Sequence, residues 1–182
     1  MSNIGKYILK NVSIVEALPK ASKTLGVIFE ETPDTYLILS FADIDCNRSY
    51  NLQEIMNIAE SYNQAHGNRY LQWKVPSLKD WNTIISHLGK TIPLGKEELT
   101  FGERIEEWTE FDTAIATKNL KKYGLTDKSY YWSCTIGIED EVYLLNLEAG
   151  TIEASPLWDD GEPYDYALRL IGQVKKNKNH YV

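Results

Sequence analysis

Trp73-Lys74-Val75-Pro76-Ser77-Leu78-Lys79-Asp80-Trp81 reads as a strand that stops and a helix that starts. Pro76 has no amide hydrogen to give to a sheet, so a strand ends there and Ser77 opens a helix. The Ser77 side chain suits the N3 amide, and Asp80 places a carboxylate at the positive end of the helix. Leu78, Trp81, Ile84, Ile85 and Leu88 then share one face, and Gly89 closes it. A second segment, Tyr130-Tyr131-Trp132-Ser133-Cys134-Thr135, is strand-like and also carries an aromatic anchor. Trp73 and Trp132 are expected as core anchors on facing elements.

Outward from these segments the chain divides into simple pieces. Leu25-Gly26-Val27-Ile28-Phe29-Glu30 and Thr35-Tyr36-Leu37-Ile38-Leu39-Ser40-Phe41 read as strands joined by the Thr32-Pro33-Asp34 turn, an antiparallel hairpin. Their nearly unbroken apolar character calls for cover on both faces or a central place in a sheet. Residues 1–23 show no clear period. Asn51 and Glu54 have capping-box spacing, and Leu52, Ile55, Met56, Ala59 and Tyr62 form one helical face that Gly67 ends. Pro93, Gly95 and Gly102 break any pattern, so 90–110 reads as a long loop. A weaker helix spans Phe111 to Tyr123, stopped by Gly124. Tyr130–Thr135, Glu141–Leu147 and Thr151–Ala154 follow as strands, with Glu148-Ala149-Gly150 as a turn. After an acidic loop, Tyr164–Ile171 reads as the last strand. Strands at both ends with helices between give an α+β chain whose terminal strands share a sheet.

The 182 residues suit one domain: 1–69 hold the hairpin and first helix, 70–174 the remaining elements, and 175–182 a tail. A net charge of -7 disfavours nucleic acid, anionic membranes and sulfated polyanions as partners. The one basic cluster, Lys175-Lys176-Asn177-Lys178, reads as a solvated tail. No run approaches the roughly 18 apolar residues of a membrane span, and the N-terminus carries no basic-then-apolar secretory pattern. Cys46 and Cys134 lie in no metal-binding or CxxC spacing; free thiols or a disulfide both fit the sequence.

Trp73-Lys74-Val75-Pro76-Ser77 with the helix after it resembles the "W-R-L-P-T/S" element of C-type-lectin-like domains. Tyr131-Trp132-Ser133-Cys134-Thr135, then Val142-Tyr143-Leu144-Leu145-Asn146-Leu147 and Gly150, resembles their "Y-W-S-S-T … W-Y-L-N-F … G" element. Ala167-Leu168-Arg169-Leu170-Ile171 is similar to the closing "Y-V-R-P-V" strand. The nearest subgroup is the C-terminal domain of bacterial collagen-like adhesins (Lcl type) and its Bacteroidetes-type relatives. Lys74 stands where Arg is usual and Cys134 where Ser is usual. The resemblance implies a C-type-lectin-like fold, a scaffold role for Trp73, Pro76, Ser77, Trp81, Tyr131, Trp132 and Ser133, and association with a surface.

That family often binds sugar through calcium, which needs six to eight oxygen ligands. Asp159, Asp160, Glu162 and Asp165 are the dense acidic candidates, though Glu162-Pro163-Tyr164 lacks the amide of the sugar-binding motif. A solvated acidic loop is the plainer reading. The formylglycine-generating enzymes share the architecture and use paired thiols, which Cys46 and Cys134 do not suggest. His66, His87 and His180 fall in no metal or triad pattern, and His66 and His87 sit near helix C-termini, where positive charge is favourable. Glu106, Glu107 and Glu110 read as solvated carboxylates.

The expectation is therefore a non-catalytic module without cofactor that recognises a glycan or a protein. The resemblance puts its ligand face in the loops 90–110 and 155–166, on Phe101, Trp108, Trp158 and Tyr164, while cover of the core beneath is an equal reading of those aromatics. An assembly subunit of a surface or phage-like appendage is the alternative, and an enzyme of the formylglycine-generating type a remoter one.

Overall fold

The computed structural model describes residues 2–44, 51–67, 71–94, 104–106, 108–125, 130–137, 141–156 and 166–176. In chain order the elements begin with β1 (Tyr7–Leu9), β2 (Ile14–Val15), β3 (Thr24–Glu31), β4 (Thr35–Ser40) and α1 (Leu52–His66). Next come β5 (Leu71–Lys74), α2 (Leu78–Ile84), β6 (Arg104–Glu106) and α3 (Glu110–Lys121). The chain continues with β7 (Tyr130–Ile136), β8 (Glu141–Asn146), β9 (Thr151–Pro156), β10 (Tyr166–Ala167) and β11 (Ile171–Lys175). The fold is α+β.

β3 and β4 form the expected hairpin at the centre of a six-stranded sheet ordered β2-β1-β3-β4-β11-β5. Both faces are covered, which explains the unbroken apolar runs. Val27, Phe29 and Leu39 point into one core, under α2 and α3. Ile28 and Ile38 point into the other, under α1. A second sheet, β10-β7-β8-β9-β6, feeds both cores by the same alternation. Tyr131, Tyr143 and Leu145 enter the first core, and Trp132, Val142 and Leu144 the second. The N-terminal and C-terminal strands share a sheet, as expected: β11 lies between β4 and β5. At one end of that sheet the Glu31 carboxylate accepts from the Asn3 amide (3.0 Å) and pairs with Lys176 at 2.7 Å. The Lys176 ammonium holds the Glu31 carboxyl below its usual range.

The helix caps follow the sequence. Glu54 N–H donates to Asn51 Oδ1 (2.9 Å), and Asn51 N–H donates back to Glu54 Oε2 (3.3 Å). Ser77 and Asp80 repeat the arrangement at α2, with Ser77 N–H donating to Asp80 Oδ2 (2.9 Å) and Asp80 N–H to Ser77 Oγ (3.2 Å).

Several expectations need correction. Met56, assigned to the apolar face of α1, is 44% exposed; the face that meets the core is Ile55 and Ala59, flanked by partly buried Leu52, Ile58 and Tyr62. Gly67 ends α1 as expected, in extended backbone. The second helix stops being α-helical at Ile84 and continues as a π-helical turn, Ile85–Gly89. Gly89 is the last residue of that turn, and Lys90 after it takes the left-handed cap. The turn is pinned where Asn119 Nδ2 donates to Gly89 O (2.9 Å) and His87 Nδ1 lies 2.7 Å from Phe29 O. The stretch 90–110 is not all loop, since β6 pairs with β9. Residues 1–23 are not patternless, since β1 and β2 extend the sheet. They are too short for a period to register. The last strand is two: β10 runs parallel to β7, and the chain crosses at Leu168–Leu170 to enter the first sheet as β11. Arg169 holds that crossing. It is 2% exposed, pairs with Asp43, and donates to the carbonyls of Ser40 (2.9 Å), Tyr123 (3.3 Å) and Gly124 (2.6 Å).

Candidate functional site

The two aromatic segments pack directly on each other. Trp81 Nε1 donates to Trp132 O (3.0 Å), and its ring lies 5.4 Å from that of Tyr131. Cys134 N–H donates to Pro76 O (2.8 Å), and Leu78 N–H, an orphan donor of the first helical turn, donates to Thr135 Oγ1 (2.8 Å). Trp73, Pro76, Trp81, Tyr131, Trp132 and Ser133 are buried, and Ser77 caps α2. All seven residues thus serve packing and capping. Cys134 is a free, half-buried thiol whose Sγ lies 3.4 Å from Val75 O, and burial pushes its pKa up. Cys46 lies outside the described residues.

Of the four aromatics expected at a ligand face, Phe101, Trp158 and Tyr164 lie outside the described residues, as do Asp159, Asp160, Glu162 and Asp165. Trp108 is described, and its ring covers the core, one of the two readings the sequence left open. It is 7% exposed, and its Nε1 donates to Ile92 O (2.9 Å). Gly150, at φ +70°, lies against the ring so closely that an added Cβ would come within 2.6 Å of it. Trp108 therefore closes the first core beneath the β8–β9 turn.

A cleft opens instead beside α1, over the second core, and encloses about 460 Å³. The C-terminal half of α1 supplies Tyr62, Ala65 and His66, the sheet supplies Leu71, Trp73 and Val174, and the β1–β2 turn supplies Lys10 and Val12. The aromatic wall is organised: Tyr62 meets Trp73 edge-on at 5.8 Å and lies against His66 at 4.5 Å. Burial raises the Tyr62 phenol above its ordinary range, so it stays a neutral hydroxyl. Trp73 Nε1 is buried without a hydrogen-bond partner among the described residues.

Two local features build this cleft. Gly172, paired with Trp73 across β11 and β5, leaves room for the indole: a Cβ there would come within 3.0 Å of the ring. Asn63 then fixes the outer edge of β5. Its Oδ1 accepts from Trp73 N–H (2.6 Å) and its Nδ2 donates to Trp73 O, so one side chain stands in for a neighbouring strand. At the mouth, Val12 sits at φ 67°, a conformation that a β-branched residue adopts only under strain. Strained residues concentrate at functional sites.

A second cleft, of about 420 Å³, involves Gln72, Lys74 and Gln173. Lys74 there pairs with Asp80 at 3.0 Å. The first cleft has the aromatic wall and the strained mouth, and is the stronger candidate. Sequence reading found Tyr62 only as part of a helical face, and the short N-terminal strands, which show no period in the sequence, hid Lys10 and Val12. Among the described residues no cluster of three or more His, Cys, Asp or Glu side chains is placed to hold a metal ion. No helix there is long and apolar enough to cross a membrane.

No protein-family model and no curated protein matches this chain.

Proposed function

We propose that this chain is a non-catalytic recognition module that binds a glycan or protein ligand on a C-type-lectin-like scaffold. The observation that carries the reading is the cleft beside α1, with Tyr62, Trp73 and His66 on its wall. Aromatic faces stack on the C–H faces of sugars and hold apolar side chains, and a cavity of this size suits one such group. The scaffold reading is supported by the contact of Trp73–Trp81 with Tyr130–Thr135 and by the shared sheet of the terminal strands.

The test is a glycan and peptide array probed with the native protein and with Tyr62→Ala. The reading expects a defined set of ligands, lost in a variant that keeps its far-UV circular dichroism. Ligands retained at full strength by Tyr62→Ala would place recognition outside this cleft.

A further inference from the structure

Resting on that reading of the cleft, we infer that it seats a compact aliphatic side chain presented by a protein partner, and that Val12 is a contact residue for that side chain. The lining is mostly hydrocarbon. Leu71 and Val174 are buried at the floor, Leu25 is half-buried, and Val12 and Ala65 are exposed at the mouth. Trp73 is 4% exposed, so it closes the floor without offering a ring face on which a sugar could stack. Four polar side chains complete the lining: Lys10, Thr24, Tyr62 and His66. Lys10 and His66 are exposed. The buried Thr24 hydroxyl donates to Lys20 O (3.0 Å) and keeps an oxygen able to accept, as does the phenol of half-buried Tyr62. A sugar ring seated here would give up water at most of its hydroxyls for those two hydroxyl partners inside. An aliphatic group gives up no hydrogen bond and gains the burial. An apolar pocket with polar groups at its border is the arrangement that takes an anchor side chain at protein interfaces, and Lys10 and the His66 ring nitrogens suit the peptide groups beside such an anchor.

The backbone at Val12 supports the same reading. Val12 N–H donates to Leu9 O (2.8 Å) and Leu9 N–H to Ser13 O (2.9 Å). This closes the β1–β2 turn with Val12 at φ 67°, the left-handed position where glycine is usual. Of the two non-glycine residues described at positive φ, Val12 and Lys90, Val12 alone is β-branched. Its side chain is 39% exposed and packs into neither core. Core packing therefore does not offset the strain, and the side chain stands where it would cover an apolar group in the cleft.

The probes are N-acetyl-leucinamide, the nearly isosteric N-acetyl-asparaginamide, and methyl glucoside. Each is titrated into the 15N-labelled full chain, following the amides of Val12, Tyr62, Ala65 and Leu71. The leucine probe should bind about tenfold more tightly than the asparagine probe, the scale of partly burying a branched aliphatic side chain, and more tightly than the glucoside. Val12→Gly should weaken the leucine probe about fourfold, the scale of one buried methylene. The same variant should melt at a higher temperature, because glycine relieves the left-handed turn. A side chain kept for packing would do the opposite. An asparagine probe bound as tightly as the leucine probe overturns the inference, and so does a glucoside bound as tightly, which would assign the cleft to a glycan. Undiminished binding of the leucine probe by Val12→Gly, or a lower melting temperature in that variant, overturns the role of Val12. Silence of all four amides toward every probe overturns the inference too, while the Tyr62→Ala array independently judges the cleft.

Discussion

Asn63 shows how much one side chain can decide. β5 is the edge of the six-stranded sheet, and its outward amide and carbonyl at Trp73 would face solvent or another chain. The Asn63 amide takes both. Asn63→Ala therefore leaves two backbone groups without partners beside a buried indole. It should lower stability by about 1–3 kcal/mol in urea unfolding and increase self-association, seen by light scattering. A variant as stable and monomeric as the native chain would contradict this role. None of it was legible in the sequence, where Asn63 is one polar residue in a helix. Trp73 and Trp132 were legible as anchors because large aromatics beside turn signals have few other places to go. The sequence left the place of Trp108 undecided for the complementary reason. Its neighbours break any period, and only Gly150, more than 40 residues on, makes the space that buries it.

Among elements, those with their own stop and start signals were read well. Both capping boxes, the hairpin and the α3 region depend on contacts within a few residues. The missed elements depend on partners far along the chain. β1, β2 and β6 have two or three residues each, and such segments become strands only when a neighbour supplies hydrogen bonds. The start of α2 combines both kinds of information. Ser77 and Asp80 cap it locally, while Thr135, on β7, accepts from the Leu78 amide. Thr135→Val keeps the shape but removes that acceptor from a helix start packed against the core. It should destabilise by about 1–3 kcal/mol without altering helix content in the folded state, read by thermal unfolding and circular dichroism. An unchanged melting temperature would show that the cap on α2 is purely local.

At the scale of the molecule, the two aromatic segments are structural, and the cleft proposed for recognition lies beside them. Their mutual contacts join the two sheets, and Arg169 secures the strand that crosses between them. The same packing leaves the cleft beside α1 open, with Trp73 serving both as core residue and as wall. The ligand face expected in the loops at 90–110 and 155–166 rested on family likeness. The cleft arises from the packing of one helix half across a sheet, which no local sequence pattern encodes. The indole N–H signals of the five tryptophans, assigned by single Trp→Phe substitutions, separate these possibilities in one titration with a ligand found on the array. The account predicts that Trp73 shifts while Trp81, Trp108 and Trp132 stay in place. A shift of Trp158 with Trp73 unmoved would contradict it and return the site to the loops.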